Sequence, residues 1–269
     1  MKPKNATVLT VILCVLFSTS PVVGCTIVMV SKDSVHLFGN NEDWSDRNTW
    51  MWFYPATDGE YGRVCVGFGH EFGFAQGGMN DQGLAIDANA LGFTGWKRDP
   101  NKENFQGGPM DYILAHCATV DDAIRFFEHY NNPGLANAKF PIADAKGNSL
   151  VVEWGQGKLQ LLRRTGSYQI STNFVQSNYR PEDYPCDRYR KAEKMILASP
   201  VLSVDLIRSI LWATHSESEY PTVYSTIYDL GNKTIRLYNF HNFEQVVTIQ
   251  LSDELKKGRR GTAVPSLFK

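Results

Sequence analysis

Cys25 has the type and the position to do chemistry, because it follows a segment with the features of a cleaved signal peptide. Two lysines precede an apolar run from Val8 to Phe17, which is shorter than the roughly 20 residues that span a bilayer. Val22 and Gly24 then supply the small or short side chains expected before a cleavage site. We therefore predict a signal peptide over residues 1–24 and export to the periplasm or the medium.

A cysteine at the start of a mature chain carries two reactive groups on one residue. The reference pKa values are about 7.7–8.0 for an α-amino group and about 8.5 for a thiol. The amine can therefore take the thiol proton near neutral pH, and no separate histidine is needed. The thiolate would attack an amide carbonyl and form a thioester that water releases. Such a site also needs groups that hold the amine and donors for the oxyanion.

The same position allows a second interpretation. The run Val22–Cys25 also resembles a lipoprotein box, in which the cysteine is acylated and tethers the protein to a membrane. Lipoproteins usually continue with a flexible polar tether, whereas Thr26–Val30 has the composition of a buried strand. The strand favours a free N-terminal cysteine, and a lipid-anchored binding protein remains the alternative.

Five short motifs follow one another along the chain, and they are Cys25-Thr26, Leu37–Asp43, Gly78–Leu84, Ser171–Asn173 and Cys186–Tyr189. In type and order they resemble the motifs of the choloylglycine hydrolase family, which includes bile salt hydrolases and penicillin V acylases and belongs to the N-terminal nucleophile hydrolases. The acyl-CoA:penicillin acyltransferases share the N-terminal-cysteine scheme.

The resemblance implies a role for each matching residue, with the N-terminal cysteine as the nucleophile. Asp43 would accept from the α-amino group and orient it. Asn173 would donate to the oxyanion, and Arg188 would polarise and position groups around the nucleophile. A polar side chain after the Gly-Met-Asn turn completes the oxyanion hole in the family. Asn89 or its neighbour Ala90 falls there, and Asn89 is the one that can donate.

Two features depart from the family pattern. Asn40 stands where the family usually has the arginine of an Arg-x-x-Asp motif, which puts the binding of a substrate carboxylate in doubt. Arg47 is a candidate replacement. The segment between Asn173 and Arg188 is short, whereas bile salt hydrolases carry a long insertion there that helps to assemble tetramers. The sequence therefore leaves the oligomeric state open.

The elements that must position these residues form an alternating series of strands and helix pairs. Strand-like runs dominate up to residue 88, and a helical pair follows, with Pro109–Cys117 first and a second helix capped by Thr119. After further strands comes a second pair, with Pro185–Ala198 first and then a helix capped by Ser203. This order predicts one α+β domain over residues 25–269, with two mainly antiparallel sheets covered on the outside by helices. The resemblance implies the same four-layer αββα sandwich.

Composition excludes some functions. Lys plus Arg is 27 and Asp plus Glu is 28, so no basic excess exists to neutralise a nucleic-acid backbone. Neither the cysteines nor the histidines have metal-ligand spacing, and we predict no metal, no cofactor and no stable membrane span. A disulfide among Cys65, Cys117 and Cys186 is left open.

An aromatic cluster follows the second motif, and its members are Trp44, Trp50, Trp52, Phe53 and Tyr54. These side chains could line an acyl pocket, but packing in the core and sheet is the commoner reason for such a cluster.

The predicted function is an exported amidase that hydrolyses a linear carbon–nitrogen amide bond in a small molecule, such as an N-acyl amide, penicillin V or a conjugated bile acid. An acyltransferase on the same fold is the alternative within the family.

Overall fold

The computed structural model describes residues 24–70 and 72–268. Apart from Gly24, the predicted signal peptide lies outside these residues. The five α-helices of the described chain are α1 (Pro109–His116), α2 (Val120–His129), α3 (Asp187–Ala198), α4 (Val204–Thr214) and α5 (Leu251–Leu255). The strands up to α1 are β1 (Thr26–Lys32), β2 (Val35–Asp43), β3 (Thr49–Tyr54), β4 (Arg63–Phe68), β5 (Phe74–Asn80), β6 (Ala85–Ile86), β7 (Asn89–Ala90) and β8 (Glu103–Asn104). The later strands are β9 (Tyr130–Asn131), β10 (Ala138–Ala143), β11 (Ser149–Gly155), β12 (Lys158–Arg163), β13 (Tyr168–Ser171), β14 (Thr222–Asp229), β15 (Thr234–Asn239), β16 (Val247–Gln250) and β17 (Arg260–Ala263).

Two antiparallel sheets carry most of these strands. The first sheet has the order β13-β1-β2-β14-β15-β16, so that the strand that follows Cys25 lies inside it. The second has the order β12-β11-β10-β6-β5-β4-β3-β17, and β7 pairs with β10 beside that path. Every strand pair within these two sheets is antiparallel, as predicted.

Three apolar clusters fill the spaces between four layers. One lies between the sheets and includes Ile27 and Phe38 of the first sheet and Met51 and Val64 of the second. A second joins the second sheet to α1 and α2, and a third joins the first sheet to α3 and α4. The αββα sandwich predicted from the sequence is confirmed by this arrangement.

The N-caps were predicted correctly, whereas several strand ends were not. Thr119 and Asp122 form a complete capping box, and the Ser203 hydroxyl accepts from the backbone N–H of Leu206. The sequence pattern predicts a strand over Gly83–Ala88 and a last strand over Gln245–Leu251, but the structure has only the two residues of β6 in the first run and begins α5 at Leu251 in the second. Strand β17 was missed, because a half-buried edge strand of four residues has little hydrophobic pattern of its own.

Within the described part of the chain, no helix combines the length and the apolar character needed to cross a bilayer.

Asn80 explains why a Gly-Met-Asn motif stands at the end of β5. Its buried side chain donates from Nδ2 to the carbonyl oxygens of Leu114 (2.9 Å) and Cys117 (2.8 Å) at the end of α1. Its Oδ1 accepts from the backbone N–H groups of Gln82 (3.2 Å) and Leu84 (2.9 Å). One side chain therefore closes the turn after β5 and fixes α1 against the second sheet.

We predict that Asn80→Asp lowers the free energy of unfolding by about 3 kcal/mol, because a carboxylate lacks the donors that satisfy two buried carbonyl groups. Urea denaturation of the purified variant measures this loss. The exposed Asn101→Asp substitution adds the same charge and should leave stability within about 0.5 kcal/mol of the parent. Equal stability of the two variants would contradict this role of Asn80.

Candidate active site

Antiparallel register gathers three of the predicted site residues at the start of β1. Thr26 lies opposite Asn41 of β2, and continuing this register sets Asp43 beside Gly24, the residue before Cys25. Ile27 lies opposite Ser171 of β13, and continuing this register sets Asn173 beside Cys25. Because neighbouring strands are held by ladder hydrogen bonds, sequence positions far apart become neighbours here.

Arg188, the second residue of α3, links several elements of the site. Its Nη1 donates to the carbonyl oxygens of Cys25 (2.8 Å) and Gly24 and to Oγ1 of Thr26 (3.0 Å). Its Nη2 donates to Oδ1 of Asn173 at 3.1 Å. Charge-assisted hydrogen bonds of this kind are about twice as strong as neutral ones. The guanidinium therefore ties the start of β1 to the segment after β13.

Asn89 reaches the same cysteine from the second sheet. Its fully buried side chain donates from Nδ2 to the Cys25 carbonyl oxygen at 3.3 Å, and its Oδ1 accepts from the Ser171 hydroxyl at 2.5 Å. Ala90, the alternative position, contributes its carbonyl oxygen, which accepts from Nδ2 of Asn173 at 2.9 Å. Asn89 and Asn173 thus lie on two sides of Cys25, and each uses one of its two amide N–H groups.

Asp43 is fully buried at the end of β2. The Thr222 hydroxyl donates to its Oδ1 at 2.5 Å, whereas its Oδ2 is buried without a hydrogen-bond partner among the described residues. Burial raises the pKa of this carboxyl to about 7, although the Thr222 hydroxyl and the charge of Arg188 oppose the shift. The side chain therefore has an unused acceptor next to Cys25, where a cation would be stabilised.

The Cys25 thiol lies in a buried and acidic environment. Burial raises the pKa of this thiol well above its ordinary value, and the carboxyl groups of Glu42 and Asp43 raise it further. The backbone N–H of Asp43 donates to the sulfur and opposes the rise. A thiolate at this position would therefore need a proton acceptor close by and compensating positive charge.

Glu42 is a member of the site for which sequence analysis gave no role. It is 2% exposed, and burial together with the nearby Asp87 raises the pKa of its carboxyl, whereas a hydrogen bond with the Cys25 thiol lowers it. Asn40 donates from Nδ2 to Oδ2 of Asp87 at 2.8 Å. Where the family usually has an arginine, this chain thus has an amide that is hydrogen-bonded to a buried carboxyl group. The signal was the run Asn40–Asp43, whose two adjacent acids are unusual at the end of a buried strand.

Cys25 opens onto a cavity of about 650 Å³. Glu42 and Asp43 lie beside it in the wall, and three members of the aromatic cluster, Trp44, Trp52 and Tyr54, also line the cavity. Phe53 instead packs in the core between the sheets. The cluster therefore lies partly in the cavity wall and partly in the core.

The comparisons with known proteins agree with this geometry. The sequence model of the family described as acyl-coenzyme A:6-aminopenicillanic acid acyl-transferase matches residues 30–244, which is most of the chain. The chain belongs to this family. Among curated protein sequences, none matches it.

Two solved structures show that the fold of this acyltransferase-family protein is that of the N-terminal nucleophile hydrolases. A mutant of the conjugated bile acid hydrolase from Clostridium perfringens is 16% identical, with a TM-score of 0.68 over 88% of this chain and 95% of that one. The penicillin V acylase from Agrobacterium tumefaciens is 17% identical, with a TM-score of 0.59 over 80% of this chain and 82% of that one. The family resemblance inferred from the motifs is thereby confirmed.

The four cysteines among the described residues of this family member form no disulfide. Cys25, Cys65, Cys117 and Cys186 are all free thiols, so the open question of a disulfide is answered within the described chain. Residues 24–70 and 72–268 also contain no group of three or more histidine, cysteine or acidic side chains that could hold a metal ion.

A buried ion pair lies behind the site and was not predicted. Lys139 and Glu153 are both fully buried, with Nζ and Oε2 3.7 Å apart. Nζ also donates to the carbonyl oxygen of Phe174 (2.8 Å) and to Oε1 of Gln176 (3.0 Å). The Glu153 carboxylate accepts from the backbone N–H groups of Gln176 (3.1 Å) and Ser177 (2.7 Å). The pair therefore anchors the loop that begins with Asn173.

No sequence motif predicted this pair, because a lysine and a glutamate on neighbouring strands resemble ordinary surface residues. Burial lowers the pKa of Lys139 to about 8, and the charge of Glu153 opposes the shift. On β10, Lys139 also pairs in register with Asn89 of β7. The ion pair thus contacts both segments that carry the site's asparagines.

We predict that Lys139→Met lowers the free energy of unfolding by about 3–5 kcal/mol, because it leaves the Glu153 carboxylate buried without its cation. The double variant Lys139→Met/Glu153→Gln should recover part of this loss. Urea denaturation of both single variants and the double variant measures the coupling, and Lys158→Met on the exposed part of β12 serves as control. Strictly additive losses would show that the two charges act independently.

Proposed function

We propose that this chain is an exported amidase whose nucleophile is Cys25, exposed as the N-terminal residue by cleavage after Gly24. The observation that carries the proposal is the buried Oδ2 of Asp43, an acceptor without a partner at the start of β1. Cleavage of the Gly24–Cys25 bond would create an α-ammonium group at this point. That group would donate a hydrogen bond to the Asp43 carboxylate, and its positive charge would oppose the rise in pKa that burial causes.

The proposed reaction uses the two groups of Cys25 in turn. The free α-amine takes the proton of the thiol, and the sulfur attacks the carbonyl carbon of the substrate amide, forming a C–S bond. The tetrahedral oxyanion accepts hydrogen bonds from the second amide N–H groups of Asn89 and Asn173, which the present contacts leave unused. The C–N bond then breaks, and the leaving amine takes the proton from the α-ammonium.

Release of the acyl group completes the cycle. A water molecule gives a proton to the α-amine and attacks the thioester carbon, which frees the carboxylic acid and returns the thiol. Arg188 holds the Cys25 carbonyl throughout, so that the main chain of the nucleophile stays fixed while its side chain changes partners. This is positioning, which can supply a large share of a rate enhancement.

The burial of Cys25 argues against the lipid-anchored alternative. Its side chain lies in the interior with 3% of the residue exposed, and β1 begins at the next residue. A diacylglyceryl group on the sulfur would have to reach a membrane from inside the protein, and no flexible segment follows Cys25 to let the protein hang from such an anchor. The neighbouring carboxylates are also better suited to an ammonium group than to an acylated amine.

Acyl transfer is the second candidate, and the description of the matching family favours it. The same thioester would then be attacked by the nitrogen of an acceptor amine in place of water. Incubation with a reactive amide and increasing concentrations of an amine acceptor separates the two outcomes. A free acid as the dominant product supports the amidase, whereas transfer at low acceptor concentration supports the acyltransferase.

We predict that Cys25→Ala lowers kcat/KM by at least about 1,000-fold, because the reaction loses its nucleophile. A panel of N-acyl amino acids, N-acyl amines, penicillin V and conjugated bile acids provides the substrates, and intact-mass analysis detects an acyl adduct on the processed chain. Cys117→Ala, which removes a buried thiol outside the cavity, should keep both activity and adduct. Turnover by Cys25→Ala, or an adduct on another residue, would refute the proposal.

A further inference from the structure

The cavity beside Cys25 combines aromatic walls with an uneven distribution of charge. Its aromatic lining residues are Trp44, Trp52, Tyr54, Phe68, Phe74 and Phe140. The ionisable acids in the wall are Glu42, Asp43 and Asp111, whereas none of the described lining residues is a lysine, an arginine or a histidine. A substrate group that enters therefore meets apolar surface and carboxyl groups.

Two arginines close to this wall are hydrogen-bonded to other groups. Arg63 donates from Nε to Oδ1 of Asp111 at 2.8 Å and from Nη1 to Oε2 of Glu60 at 2.9 Å, so its one charge faces two carboxylates. Arg188 uses its guanidinium for the backbone at Gly24 and Cys25.

A third arginine stacks on the outer side of the aromatic lining. The guanidinium carbon of Arg259 lies 5.4 Å from the centroid of the Tyr54 ring and 4.2 Å from that of the Phe72 ring. None of the three arginines lines the cavity.

Asn40, which stands where the resemblance implies an arginine, adds no charge to the cavity and does not line it. Asn40 is fully buried, donates to Asp87 at 2.8 Å and accepts from the Thr226 hydroxyl at 2.7 Å, so its amide is engaged inside the sheet. Arg47, the candidate replacement, lies with its guanidinium carbon 4.1 Å from the centroid of the Phe240 ring and does not line the cavity. A substrate carboxylate that enters the cavity would thus meet apolar surface and acids, with no lysine, arginine or histidine among the described lining residues.

We propose that this cavity selects apolar substrate groups that are uncharged or cationic and rejects groups that carry a carboxylate, with Asp111 as the residue that sets this preference. The proposal rests on the proposed function and names the substrate class of the same site. An anion in a low-dielectric cavity without a partner pays its full desolvation cost. A cation gains from the carboxylates and from the faces of the aromatic rings.

The test measures binding separately from turnover, using mature protein with Cys25→Ala. The probes are three phenylacetyl anilides that differ only in the para substituent of the phenylacetyl ring, which is methyl, carboxylate or trimethylammonium. We expect the trimethylammonium and methyl compounds to bind with dissociation constants within tenfold of each other, and the carboxylate to bind at least tenfold more weakly than the methyl compound. Calorimetry gives the three constants at one pH and ionic strength.

Two variants test this preference. Asp111→Asn should weaken binding of the trimethylammonium compound at least threefold relative to the methyl compound, and the exposed Asp121→Asn should not change this ratio. Gln76→Arg, which adds a cation to the cavity wall, should strengthen binding of the carboxylate compound at least tenfold, whereas Gln82→Arg on a turn outside the cavity should not. Asp111 and Gln76 lie outside the buried core, so these substitutions test the cavity wall without changing the buried carboxyl groups beside Cys25.

The proposal is overturned if the carboxylate compound binds within tenfold of the methyl compound, if the methyl compound does not bind at all, or if Asp111→Asn leaves the ratio unchanged. A failure of the proposed function gives a different result. In that case the unmutated Cys25 protein cleaves none of the amides and forms no adduct, while the binding order of the Cys25→Ala protein still reports on the cavity.

Discussion

The hydrogen bonds of Arg188 are the interaction on which the candidate site depends. A single guanidinium joins the start of β1, the segment after β13 and the N-terminal turn of α3, which come from distant parts of the sequence. Arginine suits this task because its planar fork presents five donors in fixed directions, whereas a lysine would act as a point charge. In the proposed processed chain this link would help to order Cys25, since chain termini are ordered only when something ties them down.

The charges around Cys25 form a consistent electrostatic arrangement. Glu42, Asp43 and Asp87 are buried close to the thiol, and burial raises the pKa of each of these carboxyl groups. Such a cluster is unfavourable for the folded chain, because desolvated acids repel one another and lose water. A positive charge at the α-amino group of Cys25 would relieve this cost. The cluster is therefore better suited to the processed chain than to the chain in which Gly24 still precedes Cys25.

Sequence analysis predicted the parts of the fold that local patterns specify. The Thr119 capping box, the Ser203 cap and the four-layer order of strands and helices follow from short-range periodicity and capping chemistry. The positions of Asp43, Asn173 and Arg188 came from motifs that together resemble one family. The structure places all three around Cys25, together with Asn89, the position chosen for its ability to donate.

The parts that were missed depend on contacts between distant residues. Nothing local distinguishes Lys139 and Glu153 from surface charges, because their burial results from strands that pack on both sides. Glu42 belongs to a motif that gave it no role, and its place beside Asp43 in the cavity wall became visible only in the folded chain. The short strand β17 and the edge of the second sheet follow from tertiary packing in the same way.

The central claim is that a free α-amino group at residue 25 activates the thiol. It is tested most directly by two chains produced without the leader, one beginning at Cys25 and the other at Gly24. The measurement is the rate constant for alkylation of Cys25 by iodoacetamide at pH 7.5, followed by intact mass and peptide mapping. We expect the chain that begins at Cys25 to react at least about tenfold faster, because its amine can take the thiol proton. Equal rates in the two chains would contradict the account.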